Sequence, residues 1–133
     1  MSSPTGLSPQ GLQALQHVKD RRDVNTVIFR FAQTPCDLVV ELEGNLTHDE
    51  LLHALPPDAA RLVVHELAFA TREGARRHET LLILWVPAGA AGQEELCTVG
   101  CTALKEHLPD VRVHLTARQA GQLEYGMLVA LVG

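Results

Sequence analysis

The residues that decide the fold are Thr80-Leu81-Leu82-Ile83-Leu84-Trp85-Val86, followed directly by Pro87. From Leu81 onward the run is apolar without interruption, whereas a strand with one face in water alternates apolar and polar side chains. The pattern therefore predicts a central β-strand that is buried on both faces. Because helices have to cover both faces of such a sheet, the sequence predicts a layered α/β (α+β) architecture.

The neighbouring elements follow from apolar spacing and from helix and turn signals. A first helix is predicted to begin at Ser8-Pro9, and Thr47-His48-Asp49-Glu50 has the form of a capping box that opens a second helix. Strands are predicted over residues 24–31, 38–42, 61–69, 80–86 and 111–115, a polar hairpin over 71–78, a long helix over 93–108, and a last helix from 116–119 to about Leu131. The predicted order is α-β-β-α-β-β-α-β-α.

Length and composition limit the class of protein. A chain of 133 residues with 46% hydrophobic residues is expected to form one domain, over residues 8–133, behind a flexible tail over residues 1–7. The net charge of −5 disfavours a general nucleic-acid binder, because attraction to phosphate needs a basic face. No apolar run approaches the roughly 20 residues of a membrane-spanning helix. The three cysteines are too few for a disulfide framework and no signal peptide is recognised, so a reduced, cytoplasmic location is expected.

The seven histidines lack the spacing of a metal site, since neither His-Glu-x-x-His nor Cys-x-x-Cys is present. We therefore expect structural or surface roles for all of them, with no metal and no cofactor. His65 and His114 alternate with apolar neighbours and are expected on exposed strand faces. His48 and His53 are five residues apart, so they are expected on different sides of their helix.

Two cysteines raise the one enzymatic alternative. Cys97 and Cys101 are four residues apart on the predicted long helix and share a face with Leu104 and Leu108. This favours a role in the core, because cysteine usually packs as a small apolar residue; the alternative is a thiol-dependent enzyme. No spacing orients a base beside either thiol, and no phosphate-binding glycine loop is present. The sequence predicts no catalytic residues and no enzyme.

Four segments, in this order and at this spacing, resemble one known family. They are Leu55-Pro56-Pro57-Asp58-x-x-Arg61, the hairpin Glu73-Gly74-Ala75-Arg76-Arg77, the strand Leu81-Leu82-Ile83-Leu84-Trp85-Val86-Pro87, and Val113-His114-Leu115-Thr116-Ala117 before the last helix. The chain is thereby similar to the actin-depolymerising-factor homology domain, a family that includes cofilins and glia maturation factors. The resemblance implies a central five-stranded mixed β-sheet flanked by helices on both faces. It also implies a monomeric, non-enzymatic regulator of the actin cytoskeleton.

The resemblance further implies two binding faces. In the family the start of the long helix enters a hydrophobic cleft of actin, and here Gln93, Glu95 and Leu96 take that place, with Leu96 as the apolar wedge. Cofilins carry two basic residues at the start of this helix, so Gln93 and Glu95 are departures that should weaken docking on the acidic surface of actin.

The second face is made by the basic hairpin and the last helix, and it engages a neighbouring filament subunit. On the hairpin the resemblance points to Glu73, Arg76 and Arg77. The end of the last helix often carries charge in the family, whereas residues 128–132 are wholly apolar here.

Different features of the chain resemble different branches of the family. Residues 41–44 with 49–51, and a helix start without lysines after Pro87-x-Gly89, resemble the glia maturation factors, which bind the actin-related-protein branching complex and remove branches. Trp85 and the terminal strand resemble the cofilins, which bind actin monomers and filaments to sever or depolymerise them. The low charge of the long helix puts debranching first and cofilin-type activity second. A third interpretation is a domain that kept the fold and lost actin.

The resemblance also implies a regulatory site in the N-terminal tail. Cofilins are silenced by phosphorylation of a serine there, and counting back from Lys19 without gaps places Ser3 at that position. A phosphate adds up to about two negative charges, which would repel an acidic partner.

Overall fold

The computed structural model describes residues 9–20, 24–31, 38–71, 73–93, 102, 104–106, 111 and 113–132. Its elements are α1 (Pro9–Asp20), β1 (Thr26–Phe31), β2 (Leu38–Gly44), α2 (His48–Ala54), β3 (Arg61–Ala70), β4 (Arg76–Trp85), β5 (Val113–Ala117) and a C-terminal helix (Tyr125–Val132). Short 3₁₀ helices occupy Ala88–Gln93 and Ala120–Leu123, and residues 102 and 104–106 are helical. The predicted order of elements is confirmed, and the predicted tail lies outside the described residues.

The strands form one five-stranded sheet in the order β2-β1-β3-β4-β5. β1 pairs antiparallel with β2 and with β3, β3 pairs antiparallel with β4, and β4 pairs parallel with β5, so the sheet is mixed as predicted. β1 and β2 are the arms of the predicted hairpin. β2 contains a bulge: Ile28 is paired with Leu42 and Phe29 with Val40, so that Glu41 has no partner residue on β1.

Two apolar cores lie on opposite faces of the sheet, because successive strand side chains point to opposite sides. On the first face, α1 packs on the strands in a cluster that includes Ala14, Leu15, Val18, Val27, Phe29, Leu62, Val64 and Leu82. On the second face, α2 and the C-terminal helix contribute to a cluster that includes Ile28, Leu51, Leu55, Val63, Leu67, Phe69, Leu81, Ile83, Trp85 and Leu128. β4 supplies side chains to both clusters, which confirms the strand predicted from its uninterrupted apolar run.

The beginning of α2 confirms the predicted capping box. Thr47 Oγ1 accepts a hydrogen bond from the N–H of Glu50 at 3.1 Å, and Glu50 Oε1 accepts one from the N–H of Thr47 at 2.8 Å. The helix ends at Ala54, and Leu55 is extended with φ −86° and ψ 124°. Pro56 explains this end, since the residue before a proline is disfavoured in the helical region.

Several strand ends differ from prediction by one or two residues, and three boundaries differ by more than that. β4 begins at Arg76 rather than Thr80, because β3 pairs with it along its whole length, from Ala70 opposite Arg76 to Arg61 opposite Trp85. Gln93 ends a 3₁₀ helix instead of opening the long helix. The last helix begins at Tyr125, after a separate 3₁₀ helix. In each case the boundary predicted from the local sequence pattern was moved by strand pairing or by a short helical turn.

Candidate functional site

The end of the β3–β4 hairpin extends past the rest of the sheet. β1 pairs with β3 only as far as Thr26 opposite His65, and β5 pairs with β4 only from Leu81 onward. Residues 67–70 and 76–79 therefore form a two-stranded segment, called the β3–β4 ribbon below, with no strand of the described chain beside it. Leu67 and Phe69 on its first strand reach back into the core, whereas Arg76, Arg77 and His78 on its second strand are exposed, as on a protruding contact surface.

The turn at the tip of the ribbon is closed by three hydrogen bonds. Thr71 N–H donates to Ala75 O at 2.8 Å, Gly74 N–H donates to Thr71 O at 2.9 Å, and Ala75 N–H donates to Thr71 Oγ1 at 3.2 Å. Gly74 has φ +86°, a conformation that glycine adopts without the steric cost other residues incur. The glycine of the basic hairpin motif is thus required by the backbone of the turn.

Arg76 and Arg77 lie on opposite faces of the ribbon. Arg77 is in register with Phe69, which belongs to the core cluster under α2 and the C-terminal helix, so Arg77 lies on that face. Arg76 is in register with Ala70 and lies on the α1 face. Both arginines are exposed, as is Glu73, and neither arginine forms an ion pair with any residue that the structure describes.

The C-terminal helix is attached to the ribbon through its first residue. Tyr125 Oη donates to the carbonyl oxygen of Ala68 at 2.7 Å, and the Tyr125 ring meets the His48 ring edge-on, with 5.8 Å between centroids. Leu128 is buried against the sheet, while Met127 and Leu131 are 55% and 57% exposed. The structure thus brings together the hairpin and the last helix, the two parts expected to form the second face.

The outer surface of the C-terminal helix is apolar, and no residue of it was among the predicted site residues. Its sequence, YGMLVALV, carries no charge, and Met127 and Leu131 are one turn apart on its exposed side. A signal was present, because a surface helix that is apolar on every side cannot bury all of its side chains on a single core.

The first predicted face is described only in part. Gln93 is the last residue of the 3₁₀ helix Ala88–Gln93, and Glu95 and Leu96 lie outside the described residues. Two observations show how closely the segment before Gln93 lies to the loop that precedes β3. Trp85 Nε1–H donates to Pro56 O at 2.7 Å, and a Cβ on Gly89 would lie 3.2 Å from both Asp58 Cα and Pro57 O. The backbone leading to Gln93 is therefore packed closely on the loop before β3.

His65 is buried, and the prediction of an exposed strand position for it is wrong. Its side chain is 4% exposed, and Thr26 Oγ1, which donates to Asn25 Oδ1 at 2.8 Å, accepts from His65 Nδ1 at 2.8 Å. Burial first, and then the nearby charge of His48, lower the pKa of His65 to about 4. His114, by contrast, lies on the exposed face of β5 as predicted.

Within the described residues, no group of three or more histidine, cysteine, aspartate or glutamate side chains is arranged to hold a metal ion. Both ring nitrogens of His48 are buried without a hydrogen-bond partner in that part of the chain. No helix among the described residues is long and apolar enough to span a membrane. Ser3, Cys97 and Cys101 fall outside the described residues, so their predicted roles stay predictions.

Comparison with known proteins gives a consistent result. The family model described as "Cofilin/tropomyosin-type actin-binding protein" matches residues 5–132. Actophorin from Entamoeba histolytica is 30% identical over 109 residues, which cover 80% of this chain and 78% of actophorin. Actin-depolymerizing factor 3 from Arabidopsis thaliana is 23% identical over 110 residues, covering 80% of this chain and 79% of that protein. The crystal structure of Streptomyces griseoflavus cofilin matches with a TM-score of 0.84 at 19% identity, covering 95% of both chains, and so shares the fold.

Proposed function

This chain belongs to the cofilin/tropomyosin-type actin-binding protein family, and we propose that it binds actin monomers and filaments in the manner of ADF and cofilin, promoting filament severing or depolymerisation. The family is one of actin-binding proteins. Binding to both monomers and filaments, and the resulting severing or depolymerisation, are what we propose in addition. We further propose that the protein is monomeric and is located with the actin cytoskeleton in the cytoplasm.

The observation that carries the proposal is the meeting of the ribbon and the C-terminal helix. The hydrogen bond between Tyr125 and Ala68 joins them, Arg77 lies on the face of the sheet on which the helix packs, and Met127 and Leu131 expose apolar area on the outer side of that helix. A cation and exposed apolar side chains on one face of the molecule fit a partner surface that is acidic around an apolar centre, since interfaces combine an apolar core with a polar rim. We assign this surface, with Glu73 and Arg76 at its margin, to the filament.

The start of the long helix is the proposed contact with a single actin subunit. Gln93, Glu95 and Leu96 are assigned to it, with Leu96 as the apolar wedge. Since cofilins have cations where this chain has Gln93 and Glu95, we expect monomer binding to depend more on apolar burial and less on charge. Its salt dependence should accordingly be shallow.

Debranching through the actin-related-protein branching complex, the interpretation that the sequence analysis put first, now takes second place. The relatives reported above are an actophorin, an actin-depolymerizing factor and a cofilin, which supports actin itself as the partner. The feature in favour of debranching is still the start of the long helix, where Gln93 is uncharged and Glu95 is acidic. Ser3 is retained as the proposed phosphorylation site that switches binding off.

Cosedimentation with bare filaments and fluorescence titration of labelled monomers test the proposal together. We expect micromolar binding to both forms, and shorter filaments in microscopy after addition of the protein. Binding to neither form, with retention on the purified branching complex, would overturn the proposal in favour of debranching. Retention on neither actin nor the complex would support the interpretation of a domain that has lost actin.

A further inference from the structure

We propose that Tyr125 is a positioning residue whose hydroxyl fixes the β3–β4 ribbon to the C-terminal helix, so that Arg77 is held in the orientation required for filament binding. The inference rests on the proposed function and assigns the geometry of its filament-binding surface to one hydrogen bond. Tyr125 was not among the predicted site residues.

The main-chain geometry shows why the ribbon needs an anchor. Glu66 N–H donates to Asn25 O at 2.8 Å, so the main-chain groups of Glu66 point toward the β1 side of β3. Groups two residues further along a strand point the same way, and the carbonyl of Ala68 therefore points to a side where β1 has already ended. Tyr125 Oη occupies the position a neighbouring strand would have taken, at 2.7 Å from that carbonyl.

Tyr125 can act as an anchor because it is fixed on its other side. Its ring contacts His48 of α2 edge-on, and Leu128, one turn further along the helix, is fully buried in the core. Leu67 and Phe69 hold the ribbon to the core, but apolar contacts have no preferred direction, so the hydrogen bond from Tyr125 sets the orientation of the ribbon. The helix carries no charged side chain from Tyr125 to Val132 that could replace the hydrogen bond by an ion pair with the ribbon.

Tyr125→Phe tests the proposal, since it removes the hydroxyl and keeps the ring against His48. We expect the Kd for filaments to rise about fivefold, as the loss of one hydrogen bond predicts, while the Kd for monomers stays within about twofold. Hydrogen exchange should become faster at the amides of Gly74 and Ala75, which close the turn, and stay unchanged at the amides of β1. A merely structural role would instead raise exchange throughout the sheet and weaken binding to both forms of actin.

Thr47→Val is the matched control, because it also removes one hydroxyl that bonds the main chain, at the N-cap of α2. It should leave the ratio of filament to monomer affinity unchanged. Equal filament affinity of Tyr125→Phe and the wild type, or equal losses for filaments and monomers, would overturn the inference and leave the proposed function standing. A wild-type protein that binds no filaments would overturn the proposed function, and this inference with it.

Discussion

Arg76 and Arg77 are adjacent in sequence and lie on opposite faces of the β3–β4 ribbon, Arg76 in register with Ala70 and Arg77 in register with Phe69. A basic pair that looks like one patch in the sequence is therefore two separate cations in the structure. Only Arg77 shares the face covered by α2 and the C-terminal helix. The two residues can thus serve as controls for each other.

Reversing the charge of Arg77 should weaken filament binding more than reversing that of Arg76. For Arg77→Glu we expect about a tenfold rise in the filament Kd, or ~1.4 kcal/mol, because one attraction to an acidic partner becomes a repulsion. For Arg76→Glu we expect less than about threefold. Cosedimentation near 0.1 M salt, where exposed charges act over about 10 Å, measures both. Equal effects of the two variants would contradict the assignment of the filament contact to the Arg77 face.

A negative charge at Ser3 should lower actin affinity. Ser3→Asp imitates part of the charge of a phosphate and should raise the Kd for monomers severalfold by repulsion from an acidic partner. Ser2→Asp, one residue away, is the control for the effect of net charge alone. If Ser3→Asp bound monomers as tightly as the wild type, phosphorylation of Ser3 could not regulate binding in this way.

The stability of the protein should fall in mildly acidic solution because of His65. Its pKa is lowered to about 4 in the folded protein and is about 6.5 when unfolded, so the unfolded chain takes up the proton first. Stability is then complete above about pH 6.5 and is lost as the pH falls toward about 4, by about 3 kcal/mol in all. Urea unfolding at pH 7 and pH 4.5 measures this loss.

His65→Gln should reduce the pH dependence of the free energy of unfolding, since glutamine has no titrating group. His114→Gln, on the exposed face of β5, should leave most of that dependence in place. A pH dependence that is the same in His65→Gln and in the wild type would assign acid sensitivity to other groups.

Gly89→Ala should destabilise the protein, whereas Gly92→Ala, beyond the kink at Ala90 in the same 3₁₀ segment, should not. A Cβ at position 89 would lie 3.2 Å from main-chain atoms of Pro57 and Asp58, and nothing lies within 4 Å of a Cβ at position 92. We expect a loss of about 1 kcal/mol at Gly89, because main-chain atoms cannot move aside as a side chain can. Thermal unfolding compares the two variants. Equal melting temperatures would show that the loop yields to the added methyl group.

The elements predicted well were those determined by local chemistry. The apolar run in β4 predicted a strand buried on both faces, and Thr47 with Glu50 predicted the start of α2, because each signal depends on neighbouring residues only. The extension of β4 to Arg76 could not be predicted in the same way. Its polar residues are held in the strand by pairing with β3.

The site divides along the same line. The motif predicts Glu73, Arg76 and Arg77 as contact residues; the structure places Glu73 in the exposed turn and both arginines on the ribbon, and their role in binding stays a prediction. The separation of Arg76 from Arg77, and the role given to Tyr125, depend on which face of β3 the C-terminal helix covers. The prediction for His65 was wrong for a related reason. A histidine that alternates with apolar strand residues gives the same sequence pattern whether its face of the sheet is exposed or covered by α2.

The bulge in β2 has a consequence for how copies of this protein meet one another. β2 is an edge strand, and an edge with regular, unpaired main-chain groups is a template for strand addition and aggregation. Here the bulge breaks the regularity at Glu41, and the carboxylates beside it are engaged within the molecule, Glu41 with Arg61 of β3 and Glu43 with His17 of α1. Two copies that met at this edge would thus find no continuous row of main-chain groups to pair with, so close approach need not lead to sheet-to-sheet aggregation.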